Sequence, residues 1–237
     1  MTDQTTLPKE GVFAVYKDDG MTSHDVIDVV RRVTREKRVG HAGTLDPCAK
    51  GVLVVAVGRA ATKTLGEITG SEKEYITRVK LGWRSTTDDR EGDKEEVPAS
   101  RIPTEEQVRA ALAGFEGVIS QRPPIYSALK VGGRAAYKLA RAHKQIELSE
   151  RQVEAKAVEL IRYEWPWLDV RLVTGSGFYV RSFARDLGAA LGTGGYVDQL
   201  ERTRVGAFTK EQALRISDLR RRPPDGGQER PNPDAVP

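Results

Sequence analysis

The stretch Gly40–Gly58 reads GHAGTLDPCAKGVLVVAVG. Its second half decides the architecture. Val52–Val57 is an uninterrupted apolar run of strand length, closed at each end by glycine. Such a run is a strand covered on both faces, so it belongs inside a sheet with further layers above and below it. The first half, Gly40–Gly51, reads as a loop feeding that strand. It carries His41 and Asp46, and Pro47 confines Asp46 to extended or turn geometry. A carboxylate fixed at the mouth of a buried strand suits nucleophilic or acid–base chemistry. The same dipeptide is also an ordinary turn, and taken alone that is the commoner meaning.

Upstream, Gly11–Tyr16 reads as a short strand and Lys17–Gly20 as a polar turn. A helix follows, with Val26, Val29, Val30 and Val33 at helical spacing and Thr22 or Ser23 as its N-cap. Downstream, Glu74–Leu81 alternates as a strand, and residues 84–96 are acidic and expected at the surface. Thr104 with Gln107 forms a capping box that starts a helix. Residues 121–144 carry Lys130, Arg134, Lys138, Arg141 and Lys144 with Tyr126 and Tyr137 interleaved, and no acidic residue. They read as a protruding basic insertion. Arg151–Tyr163 and Trp167–Thr174 read as strands, Tyr179–Leu191 as a helix and Thr203–Phe208 as a short strand. Thr209 with Gln212 gives a second capping box, and a Pro-rich polar tail begins at Arg220. Strands and helices mix without a βαβ rhythm, so the class is α+β.

Composition narrows the function. The chain has 237 residues, 38 basic against 34 acidic, for a net charge of +4, which mildly favours a polyanionic partner. A single cysteine, Cys48, forms no intrachain disulfide and no cysteine-rich zinc site. His24, His41 and His143 show no metal-ligand spacing, and no phosphate-loop or dinucleotide fingerprint is present. No secretory leader or membrane-length apolar run is visible, so a cytoplasmic protein is expected.

Three further residues carry two readings each. Arg181 sits among apolar neighbours at a helix start and needs an anionic partner, with Asp46 or Asp186 as candidates. Tyr75 is either a core strand tyrosine or a ring on which a base stacks, the latter contributing about 1–3 kcal/mol. The basic insertion is either a solvated face or a track for a phosphate backbone.

Taken in order, KDDGMTSHDV (17–26), GHAGTLDPCAKGVL (40–53), KEYITRVKLG (73–82), QRPPIYSALKVGGRAAYKLAR (121–141), GFYVRSFARDLG (177–188) and LERTRVGAFT (200–209) resemble the bacterial tRNA pseudouridine-55 synthases of the TruB family. Six ordered motifs over residues 11–219 are more specific than any one of them. The resemblance implies a pseudouridine-synthase fold with a central mixed, largely antiparallel sheet. It implies isomerisation of one uridine in the tRNA T-loop by a monomer, without cofactor, metal, membrane or obligate protein partner. Asp46 matches the catalytic aspartate, with attack on sugar, attack on base and a glycal route all open. Arg181 matches its partner and Tyr75 the ring stacked on the uracil. Leu200 matches a pocket wall, His41 the T-loop contact, and Lys130 an RNA contact. Tyr179 and Lys17, within matched stretches, join the substrate-binding set.

The chain departs from the family pattern in three places. Tyr16-Lys17-Asp18 replaces Asn-Lys-Pro, which removes a stiffening proline. Ser85-Thr86-Thr87 replaces Thr-Asp-Thr, which removes a carboxylate that Asp88 or Asp89 could supply. The Pro-rich tail from residue 220 stands where many members continue into a small RNA-binding domain. The rival readings are a synthase for another RNA and a non-catalytic tRNA-binding or folding protein.

Overall fold

The structure is a computed structural model that describes residues 10–127, 129–131, 134–135 and 148–220. Most of the basic insertion, with the side chain of Lys130, and the tail beyond residue 220 lie outside the described residues.

The elements run β1 (Gly11–Lys17), α1 (Ser23–Thr34), β2 (Val39–Ala42), β3 (Ala49–Val57), α2 (Arg59–Lys63), α3 (Leu65–Gly70), β4 (Lys73–Leu81), β5 (Trp83–Ser85), β6 (Lys94–Glu96), α4 (Glu105–Ala113), β7 (Gly117–Gln121), β8 (Lys130–Val131), β9 (Arg134–Ala135), β10 (Arg151–Glu164), β11 (Trp167–Thr174), α5 (Val180–Ala190), β12 (Gly195–Val205), β13 (Phe208–Thr209), β14 (Leu214–Arg215) and α6 (Ile216–Arg220). One sheet orders eight of the strands as β14-β1-β3-β12-β4-β11-β10-β7, with β2 on β3 and β13 on β12. Only the β1–β14 and β3–β12 pairs are parallel. The sheet is therefore mixed and largely antiparallel, within an α+β fold.

β3 sits inside the sheet, and the physics of its apolar run holds. Leu53, Val55 and Val57 pack with Val26, Ile27, Val29 and Val30 of α1. Val52 and Val54 face the other way, toward Leu65 and Ile68 of α3. The cap of α1 is Thr22, whose hydroxyl accepts from Asp25 N while Asp25 accepts from Thr22 N. β3 runs parallel to β12, and Gly51 makes the close approach possible. A Cβ there would lie 2.2 Å from the Arg202 carbonyl oxygen, and the residue has φ +115°. A third cluster packs Phe183, Ala184 and Leu187 of α5 on Val79 and Leu81 of β4, with Leu168, Val170 and Leu172 of β11 beside them.

Four expectations change. β2 occupies the start of the expected Gly40–Gly51 loop. The expected Thr203–Phe208 strand is the end of the eleven-residue β12, which turns at Gly206 into β13. β12 hides in the sequence because register shifts near Val197 and Arg202 break its alternation. Thr209 N does donate to Gln212, but no helix follows, and the chain goes through turns into β14. Residues 84–96 are not uniformly exposed, since Asp89 is buried.

Candidate active site

Three elements converge on Asp46. The loop before it is clamped by Ser23, whose hydroxyl donates to Leu45 O and accepts from Leu45 N, both at 2.9 Å. The residue after it is held from the other side, because Pro47 O accepts from Gly20 N at 2.9 Å and from Lys17 Nζ at 3.3 Å. α5 then presents Arg181 from its first turn. Its Nε lies 2.9 Å from Asp46 Oδ2. The Arg181 side chain is 6% exposed and that of Asp46 36%. Asp186, the alternative partner, pairs with Arg185 instead.

Arg181 is over-determined. Its Nη1 donates to Thr87 O at 3.1 Å and lies 3.5 Å from Asp89 Oδ2, while Nη2 donates to Tyr126 O at 2.8 Å. Asp89 is held in turn by Thr87 Oγ1 and Glu91 N. One guanidinium thus joins two carboxylates and two carbonyls, a geometry that a fixed planar fork provides and an ammonium does not. The surrounding protein desolvates the Asp46 carboxyl, although 36% of the side chain stays exposed. This desolvation pushes its pKa above the ordinary carboxylate value, against the pull of Arg181, and Asp89 adds to the rise. Burial thus outweighs the ion pair in setting the direction of the shift.

The cavity beside Asp46 measures about 440 Å³, room for a nucleotide. Its walls include Thr44, Leu45, Tyr75, Ser127, Tyr179, Arg181 and Leu200. Tyr75 belongs to the core cluster and also borders the cavity. Tyr179 is fixed by Gln121, whose side-chain amide accepts from Tyr179 N at 2.8 Å and donates to Tyr179 O at 3.0 Å.

Two expected contacts lie elsewhere. Lys17 is fully buried, and its ammonium donates to the carbonyls of Asp18, Met21 and Pro47. Three donors meet three acceptors, so Lys17 anchors the Asp46–Pro47 loop rather than substrate. This also replaces the stiffening that the missing proline would give. His41, on β2, is not among the cavity-lining residues. Its ring meets that of His24 edge-on at 6.2 Å, and burial, with positive neighbours His24 and Arg202, holds its pKa below the usual histidine value.

Three residues are not assigned to the Asp46 cavity from sequence, where Asp89 stands only as a possible substitute for the carboxylate missing at Thr86. Asp89 sits in a segment read as acidic surface. Lys73 and Arg202 border the cavity as buried cations. Of the carboxylates considered for the position of Thr86, Asp89 turns to Arg181 and Asp88 to Arg185 at 3.1 Å. Cys48 is buried and is not among the cavity-lining residues. Its Sγ and the carboxylates of Asp89 and Glu91 lie within 4.8 Å of one another. Burial and those carboxylates push its thiol up to about 12, which disfavours the thiolate that a metal requires.

Residues 31–180 match the TruB family pseudouridylate synthase (N terminal domain), and residues 181–223 match the tRNA pseudouridylate synthase B C-terminal domain. The tRNA pseudouridine synthase B of Mycobacterium tuberculosis (strain ATCC 25618 / H37Rv) is 45% identical over 218 residues, 90% of this chain and 72% of that protein. Its counterpart from Mycobacterium avium (strain 104) is 46% identical over 213 residues, 88% and 69% respectively. Among solved structures, a chain of a Cbf5-Nop10-Gar1 complex superposes with a TM-score of 0.68 at 29% identity, covering 88% of this chain and 53% of its own length. A chain of an H/ACA RNP bound to a substrate RNA containing 2'-deoxyuridine gives 0.65 at 27%, covering 88% and 52%. This chain spans about half the length of those solved relatives.

Proposed function

This chain belongs to the TruB family of pseudouridylate synthases, and from that premise we propose that its cavity takes in one flipped uridine of the tRNA T-loop, at position 55, and isomerises it with Asp46. The reaction turns a uridine of tRNA into pseudouridine. The bond from C1' to N1 breaks, one from C1' to C5 forms, the C5 proton leaves and N1 gains a proton. The carrying observation is the Asp46 carboxylate bonded to a buried arginine inside a nucleotide-sized cavity that Tyr75 also borders.

Extruding a base from its stack costs a few kcal/mol. Stacking on Tyr75 offsets part of that, and Leu200 and Tyr179 close the walls. Arg181 orients Asp46 and keeps a carboxylate present in a desolvated site. His41, outside the cavity, is assigned to the RNA loop around the target, and Lys130 with the basic insertion to the phosphate backbone. Isomerisation needs no external group, so the reading includes no cofactor. It treats residues 11–219 as one catalytic unit acting as a monomer in the cytoplasm, to be checked by light scattering of the purified protein.

The test is tritium release from tRNA labelled at uridine C5. Wild type is expected to release it from the T-loop uridine, and Asp46→Asn to release none while still binding tRNA. Release by Asp46→Asn at the wild-type rate sinks the assignment. Release from another tRNA position, or only from a different RNA, removes the T-loop target.

A further inference from the structure

We propose that Lys73, backed by Arg202, forms an anion subsite of the same cavity that takes one phosphate of the RNA chain next to the flipped nucleoside. This inference rests on the reading above and adds a contact to it. Both cations are more than nine-tenths buried, Lys73 at 6% and Arg202 at 2% exposure, and both border the cavity. Neither meets a carboxylate within ion-pairing distance among the described residues. Among the described residues Lys73 Nζ donates to Thr69 O (2.5 Å) and Ser71 O (2.6 Å), and Arg202 to Val52 O (2.8 Å) and Gly43 O (2.9 Å), with the Tyr75 hydroxyl and, farther off, the Asp46 carboxylate also facing Arg202. Desolvated cations held mainly by carbonyls are costly unless an anion joins them. The balance around the cavity agrees, because three cations, Arg181, Lys73 and Arg202, face two carboxylates, Asp46 and Asp89, which leaves one positive charge in surplus. Burial, with Arg202 second, lowers the Lys73 pKa to about 8.

The placement suits a nucleotide. Lys73 and Tyr75 are two apart on β4 and share a face, and Arg202 is the cross-strand partner of Tyr75 on β12. Residues two apart on a strand lie roughly 6.5 Å from each other. That matches the reach from a pyrimidine ring through its ribose to a phosphate. A base on Tyr75 therefore brings a phosphate toward Lys73, whose two carbonyl bonds leave one N–H free. Gly70, Ser176 and Gly177 line the same cavity, and nothing lies within 4 Å of where a Cβ on Gly177 would be, so the space there is open.

The experiment measures T-arm RNA affinity against salt for wild type, Lys73→Met and Lys73→Arg, each checked for folding by circular dichroism. Each enzyme is also offered RNA with a single uncharged methylphosphonate linkage 5' or 3' of the target uridine. Losing one phosphate contact should lower the log–log salt slope by about 0.7–0.9 and weaken binding roughly tenfold, with Lys73→Arg keeping most of both. One of the two neutral linkages should weaken wild type by a similar factor and leave Lys73→Met unaffected. An unchanged slope in folded Lys73→Met overturns the subsite, as does wild-type indifference to both neutral linkages, and this second arm stands even if Lys73→Met does not fold. Wild type lacking tritium release would instead sink the underlying reading, a separate outcome.

Discussion

The cavity around Asp46 and the far face of the same sheet use the same chemistry to opposite effect. On the far face, Arg78 meets Asp169 through two bonds of 2.7 and 2.8 Å, and Arg171 reaches Glu74 at 2.6 Å and Glu159 at 2.8 Å. Those arginines are 37% and 34% exposed, and each has a carboxylate from a neighbouring strand. In the cavity Arg181 is 6% exposed and shares two carboxylates that repel each other. Where water reaches, an arginine–carboxylate pair is locally neutral and of small energetic consequence. Around the buried Arg181, desolvation and the ion pair pull the Asp46 ionisation in opposite directions, and desolvation prevails. Dielectric surroundings, rather than residue type, separate the surface ladder from the candidate site.

The sharpest way to break this contrast is Arg181→Met. It leaves Asp46 and Asp89 facing each other without a cation, and is expected to cost about 3–5 kcal/mol of stability. Tritium release should fall by roughly 10²–10⁴-fold in whatever protein folds. Arg181→Lys should recover stability in denaturant titrations but little activity, since an ammonium cannot reproduce the four directed contacts. Full activity in the lysine variant would mean that charge alone suffices.

A subtler effect is expected from Asp89→Asn, which removes one of the causes that raise the Asp46 pKa. If the reaction needs the carboxylate, activity is lost as pH falls through the Asp46 pKa, above the ordinary carboxylate range. In Asp89→Asn that acid limb should move to lower pH. A limb that stays put assigns it to another group.

Asp46→Asn sharpens the comparison through stability. A carboxyl whose folded pKa is raised destabilises the fold progressively as pH rises from its unfolded value through its folded one. At neutral pH the ionised Asp46 therefore costs stability, and an uncharged amide removes that cost. Arg181 keeps Asp89 and two carbonyls in this variant. Thermal melts at neutral pH should place Asp46→Asn within about 1 kcal/mol of wild type or above it, though it is inactive. A loss of several kcal/mol would show that the ion pair holds the fold together.

The contrast also explains what could be read in advance. Val52–Val57 was legible because burial on both faces leaves an unbroken apolar run. Asp46, Arg181 and Tyr75 were legible because each lies in a short motif with its own local signature. Asp89 was not, because its burial comes from Arg181, distant in sequence, and nothing in STTDDREGD distinguishes it from solvated acid. Arg202 lies where β12 changes register, so neither its strand nor its inward direction follows from alternation. Lys17 has the reverse history. Its motif suggested substrate, and only the three carbonyls around it reveal an anchor. Local pattern identifies the elements, and long-range polar closure assigns the charged residues.

The smallest expected effect belongs to the far face, and its smallness is the point. A double-mutant cycle on Arg78→Ala and Asp169→Ala should give a coupling of about 0.2–1 kcal/mol, at the upper end because the pair is bidentate and Asp169 is only 16% exposed. Salt should erode it, since solvent reaches the guanidinium. Activity should be untouched, because the β4 residues Arg78 and Tyr75 point to opposite faces of the sheet. A coupling of several kcal/mol that persists in high salt would mean that water is excluded there too, and the distinction between the two faces would fail. A loss of tritium release with the fold intact would point to RNA contacting the far face, and would extend the substrate footprint across the sheet.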